Sequence, residues 1–142
     1  MSDGPKTKKR SYPTLQALLL ADQIYTDHSG KRIICGTFSK ILSLGFPSIT
    51  SFSCFAFVLL VDVVDEVEIR LRLVSLADNE IVMEGGPLKI KHQDPLSPVD
   101  LVVQIPPLPL PHAGVYSFEC VADGMMIGSV RLQVEKMQEK PQ

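Results

Sequence analysis

The chain predicts an all-β protein, a two-sheet antiparallel β-sandwich of about eight strands. Three observations carry this. Between Glu66 and Val74 the alternation is unbroken, with Val67, Ile69, Leu71 and Leu73 on one side and Glu68, Arg70 and Arg72 on the other. That is the period-two pattern of a strand with one buried face. From Asp100 to Val134 the chain reads as a strand, a proline-marked crossing and a closing hairpin. Elsewhere, short β-prone runs follow one another with connections too short for helices to cross a parallel sheet.

Taken in order, Met1 to Pro13 is polar and basic and is expected to be a disordered lead-in, with a single sandwich domain over 14–135. Ala17 to Tyr25 suits helix or strand on composition; the Thr26–Lys31 turn and the β-prone return from Arg32 to Phe38 decide for a hairpin. Gly30 in that turn takes a positive φ cheaply. Leu42 to Ser48 reads as a connection, with Pro47 holding Phe46 extended. Ile49 to Val61 reads as one long strand, apolar on both faces at its far end: Phe55, Phe57 and Leu59 on one, Cys54, Ala56, Val58 and Leu60 on the other. A half-exposed antiparallel strand does not look like that. Another segment of the chain covers the face of Phe55, Phe57 and Leu59, or a partner does, which makes these three a candidate interface.

The 66–74 strand turns at Ala77–Glu80 and returns from Ile81, with Gly85-Gly86-Pro87 interrupting it as a bulge or a jump between sheets would. A polar, proline-marked loop from His92 to Pro98 leads to a strand over Val99–Ile105. Pro106 to Pro111 lacks the amide hydrogens of a central strand and is expected to be a polyproline-like crossing. Val115–Ala122, the Asp123-Gly124 turn and Met126–Glu135 form the last hairpin, and 136–142 is a polar tail expected to be disordered.

With 142 residues the chain is long enough to bury a real core, and 45% hydrophobic against 21% charged residues excludes a disordered protein. A net charge of -2 gives no reason to expect nucleic acid or an anionic membrane as partner. Phe52 to Val61, the longest apolar stretch, is far too short for a membrane helix. No secretory signal is visible, and Cys35, Cys54 and Cys120 have no paired spacing, so the expected compartment is the cytoplasm.

No catalytic constellation stands out. His28, His92 and His112 are far apart and lack zinc-ligand spacing, and Asp62-Asp65-Glu66 and Asp78-Asn79-Glu80 do not match an oxygen-ligand loop. There is no nucleophile elbow or phosphate-cradling glycine loop, so no metal and no cofactor is expected. Most aspartates, Asp123 among them, occupy turns where a carboxylate caps local amides. Asp22, a lone acid in an apolar run, is expected to have a structural role at a sheet edge, as are Gly30, Gly114, Tyr116 and Gly124 at their turns and corners.

Three functions follow as expectations: a non-enzymatic interaction or structural module, self-associating or binding a protein partner through a sheet face; a small-ligand or carbohydrate module using the loops Thr26–Lys31, Asp94–Pro98 and Asp123–Met126; or an enzyme bringing a histidine to an acid or nucleophile in a cleft.

The order of segments resembles a family of unknown function, DUF6941. The likeness rests on Ala21-Asp22-Gln23-Ile24, Gly36-Thr37-Phe38, the Val67–Val74 strand, Asp94-Pro95-Leu96, the Leu108-Pro-Leu-Pro run and Gly114-Val-Tyr-Ser-Phe-Glu. It implies a compact β-sandwich of bacterial cytosolic origin and no catalytic residues. Ala113-Gly114-Val115-Tyr116 is also similar to the start of the penultimate strand of immunoglobulin domains, where a tyrosine packs at a corner. Phe118 stands where those domains place a cysteine, and the chain has no tryptophan, so an immunoglobulin-like or a jelly-roll-like layout is implied without the disulfide-pinned core.

Overall fold

The computed structural model describes residues 11–92 and 94–138. The expectations for the first ten residues and the last four fall outside these. Eleven strands follow in order: β1 (Thr14–Thr26), β2 (Arg32–Thr37), β3 (Lys40–Ser43), β4 (Ser48–Ile49), β5 (Cys54–Val61), β6 (Asp65–Ser75), β7 (Ile81–His92), β8 (Val99–Ile105), β9 (Pro109–Leu110), β10 (Gly114–Ala122) and β11 (Met125–Lys136). They form a four-stranded sheet in the order β2-β1-β5-β8, a five-stranded sheet in the order β3-β11-β10-β6-β7, and a two-stranded sheet of β4 and β9.

The all-β class holds, and the long strands expected from the sequence are present except that over 49–61. Three details are corrected. Eleven strands replace about eight, because β3, β4 and β9 are too short to show a period. Pairing is not wholly antiparallel: β3 runs parallel to β11, with Lys40 opposite Gln133 and Ser43 opposite Lys136. The third sheet breaks the long strand expected over 49–61. Thr50 leaves the strand line because its N–H donates to the Leu108 carbonyl and its Oγ1 accepts from the Leu108 N–H, at 2.9 and 2.7 Å. Part of the proline run is therefore strand after all, with Pro109 opposite Ile49 at an edge where a missing amide costs nothing.

The two large sheets share one core. On β5, Cys54, Ala56, Val58 and Leu60 are fully buried, and they meet Val67, Ile69, Leu71 and Leu73 of β6 and Tyr116, Phe118, Cys120 and Ala122 of β10. The opposite face of the five-stranded sheet is laced by ion pairs, Arg72 with Glu119 at 2.7 Å and Arg70 with Glu68 at 3.1 Å. The Gly85-Gly86-Pro87 interruption is a bulge within one strand, β7, between Leu71 opposite Gly85 and Ile69 opposite Leu88.

The first half of β1 pairs with β5 and the second half with β2, and Ala21 pairs with both. Arg32 stands opposite Thr26 on β1, while Asp100 of β8 is level with Leu59 and hence Ala17. In a flat sheet these rows would be about 30 Å apart at roughly 3.3 Å per residue. Yet Arg32 Nε is 2.8 Å from Asp100 Oδ2. The four-stranded sheet therefore curls until its two edge strands approach one another.

Candidate functional site

One cluster of polar, chemistry-bearing side chains forms. Ser75 ends β6, Asp78 sits in the following turn, and His112 precedes β10. The Ser75 hydroxyl lies 3.2 Å from His112 Nε2, and Asp78 Oδ2 lies 4.0 Å from the same nitrogen. Nδ1 faces the Ala113 carbonyl at 2.9 Å, and a carbonyl only accepts, so Nδ1 carries the proton. A nucleophilic triad needs its acid on the far ring nitrogen and its hydroxyl open to substrate. Here Asp78 shares Nε2 with the serine, and Ser75 is 0% exposed.

The group is a latch instead, holding the β6–β7 turn to the chain entering β10. Tyr116 completes it. Its hydroxyl donates to the His112 carbonyl at 2.6 Å, and its ring stacks on the imidazole with centroids 5.5 Å apart. Burial pushes the Tyr116 phenol above its usual value. The Glu80 amide, with the Ser75 hydroxyl and the His112 charge helping, holds Asp78 below the usual carboxylate range.

The remaining predicted residues disperse. His28 is exposed in the hairpin turn, and His92 ends β7 with Nε2 buried and without a hydrogen-bond partner among the described residues. No three His, Cys, Asp or Glu side chains are grouped to hold a metal ion, among the described residues. Asp22 lies against Gly36, where a Cβ would fall 2.6 Å from its Oδ2 and φ is +72°. Asp123 caps β6 across the sheet, accepting the Glu68 amide at 2.9 Å, beside Gly124 with φ +83°. Asp27 accepts from the Ser29 hydroxyl and from the Ser29 and Lys31 amides around Gly30, and these bonds lower its pKa, the Ser29 hydroxyl foremost. Gly114 opens β10 with φ +145°. Burial pushes the Cys54 and Cys120 thiols up to about 11, so both are inert at neutral pH, whereas Cys35 is exposed. Phe55, Phe57 and Leu59 share one face of β5, each half-buried.

What the molecule does present is an apolar surface at the β3–β4 end. Leu44 is 75% exposed and Ile49 69%, and Leu42, Phe52 and Met137 are exposed beside them. These five line a groove of about 320 Å³ with Leu110 at its base. A second cleft of about 540 Å³ continues over Ile49 to Ile81 and the prolines Pro47, Pro109 and Pro111. Its walls are fixed. Met137 N–H donates to the Ser43 carbonyl at 2.7 Å, and Phe38 holds the Phe52 ring edge-on at 6.4 Å. Three of the lining hydroxyls are used within the chain: Ser43 and Ser48 bond each other at 2.8 Å, and Thr50 bonds Leu108 and Phe52. The exposed surface of the groove is thus mainly apolar. Sequence reasoning missed it, because 42–48 reads as a connection. The signal available was three large aliphatic residues, Leu42, Leu44 and Ile49, in a stretch that a solvent-exposed loop would fill with polar ones. The loops Thr26–Lys31, Asp94–Pro98 and Asp123–Met126 line neither cleft.

Fold and surface together define an all-β domain with an apolar end. The chain belongs to DUF6941, a family of unknown function, which it matches over residues 16–135. No match was found among curated proteins. No helix of the described residues is long and apolar enough to cross a membrane.

Proposed function

We propose that this domain is a non-enzymatic protein-interaction module that docks its partner on the β3–β4 end. The observation that carries the reading is the contiguous exposure of Leu42, Leu44, Ile49, Phe52 and Met137 around one groove. Isolated apolar residues on a surface are ordinary, but a clustered patch marks a contact site. The face of Phe55, Phe57 and Leu59 is the lesser surface within this reading, since its side chains are already half-buried. The three unpaired cysteines suit a reducing compartment such as the cytoplasm.

We also read the layout as immunoglobulin-like. Support comes from β5 and β8 pairing in one sheet, β11-β10-β6 adjacent in the other, and the Tyr116 hydroxyl bonded four residues upstream, as at the tyrosine corner of such domains.

The test is Ile49→Asp. Because Ile49 is so exposed, the change is expected to shift unfolding stability by no more than about 0.5 kcal/mol. It should remove proteins retained by the immobilised wild-type chain from an extract of its own cells, or abolish self-association in sedimentation. Equal retention by both chains, with both monomeric, would refute the reading.

A further inference from the structure

The edges of the two large sheets are not equally protected. Natural sheets guard their margins with charges, prolines and bulges, because an open row of N–H and C=O groups invites another strand. β7 has its Gly85-Gly86-Pro87 bulge and Lys89 and Lys91; β8 has Asp100 and is bracketed by Pro98 and Pro106; β2 begins at Arg32, tied to Asp100, and is bent at Gly36 with φ +72°. β3 is different. Its one charge, Lys40, is engaged by Glu135 at 3.0 Å, and the exposed Leu42 and Leu44 follow.

The parallel ladder fixes which backbone groups remain open there. Gln133 N–H donates to the Ser39 carbonyl and Met137 N–H to the Ser43 carbonyl, at 2.8 and 2.7 Å. Alternation along a parallel pair then turns the backbone groups of Ile41 and Ser43 toward β11 and those of Lys40 and Leu42, with the Leu44 N–H, away from it. These outward groups have no hydrogen-bond partner among the described residues. The open edge and the groove are one place, since Leu42 and Leu44 contribute to both.

Resting on the reading of this end as a docking surface, we propose that β3 binds an extended, apolar segment of a partner protein by strand addition, with alternate side chains of that segment entering the groove beside Ile49 and Phe52. Main-chain bonds would supply affinity and the groove a preference for apolar side chains. A second copy of this chain fits less well. Antiparallel pairing of two β3 strands centred on Leu42, the register that uses all the open groups, sets Leu44 of each copy opposite Lys40 of the other. The most exposed leucine of the groove would then face a lysine rather than an apolar side chain.

The experiment uses the full chain and a short peptide alternating valine and threonine with a lysine at each end. In the free protein, amide exchange by NMR is expected to be slow at Ile41 and Ser43 and fast at Leu42 and Leu44. The peptide should slow Leu42 and Leu44. Methylating its amide nitrogens at one alternating set should weaken binding at least about tenfold, the worth of one or two hydrogen bonds, and methylating the other set should not. Leu42→Pro removes an outward N–H together with the leucine side chain and should lose the peptide while keeping the fold, whereas Leu42→Ala loses that side chain but keeps the N–H and most of the binding.

Equal binding of both methylated peptides, or no slowing at Leu42 and Leu44, overturns strand addition. The docking surface itself then stands or falls separately, by whether Ile49→Asp alters what the chain retains. Slow exchange at Leu42 and Leu44 without peptide, in a sedimenting dimer, would overturn the proposal in favour of the second copy.

Discussion

Tyr116 shows what one residue contributes to this fold. Fully buried at the entry to β10, it sends its hydroxyl to the His112 carbonyl at 2.6 Å and stacks its ring on the imidazole. Tyr116→Phe keeps the packing and removes both bonds of the hydroxyl, leaving the His112 carbonyl without its donor and the His112 N–H without its acceptor. The expected loss is about 1–2 kcal/mol of unfolding free energy, read from urea denaturation. A change of a few tenths would mean that water replaces the hydroxyl. A core or corner position for Tyr116 was the expectation legible in Gly114-Val-Tyr. Its partners were not legible, because His112 reads as a surface histidine and Ser75 is 37 positions away from it.

Among the elements, long strands were legible where local pattern decided them, as at β6, β8 and the β10–β11 hairpin. β3, β4 and β9 were not, because two to four residues carry no period and their pairing is imposed from elsewhere. The placement of β1 on β11 is similarly non-local, and it turns on a glycine. A Cβ at Gly128 would fall 2.3 Å from Leu15 Cδ2. The obstacle is the end of a flexible side chain, so Gly128→Ala is expected to cost about 1–2 kcal/mol as Leu15 is displaced. Combined with Leu15→Ala, the cost of the glycine change should fall by more than about 0.5 kcal/mol in a double-mutant cycle by denaturation. Additive costs would show that the two positions do not meet.

At the scale of the molecule, the curl of the four-stranded sheet was invisible in the sequence, since Arg32 and Asp100 are 68 positions apart and both sit in ordinary polar settings. An exposed pair of this kind adds at most about 1 kcal/mol. Arg32→Ala is therefore expected to leave global stability nearly unchanged while speeding amide exchange in β2, which among the described residues pairs only with β1. Unchanged exchange would mean that the curl is held by packing alone. The apolar end was half legible for a related reason. Its leucines and Ile49 were plain to see, but only the folded chain gathers β3, β4 and Met137 around one groove.

The division of β1 between two partners has a consequence for how the chain is made. During synthesis from the N-terminus, Ala21–Thr26 finds Arg32–Thr37 almost at once, a local hairpin with little loop to close. Thr14–Leu20 must wait for Cys54–Val61, and the apolar face it shares with β5 must wait again for the final strands, Gly114–Ala122 and Met125–Lys136, to bring Phe118 and Leu132 over it. Until those strands are made, Leu18 and Leu20 lie on a half-made sheet open to other chains. The domain is thus most exposed to misassociation just before its β10–β11 hairpin is made.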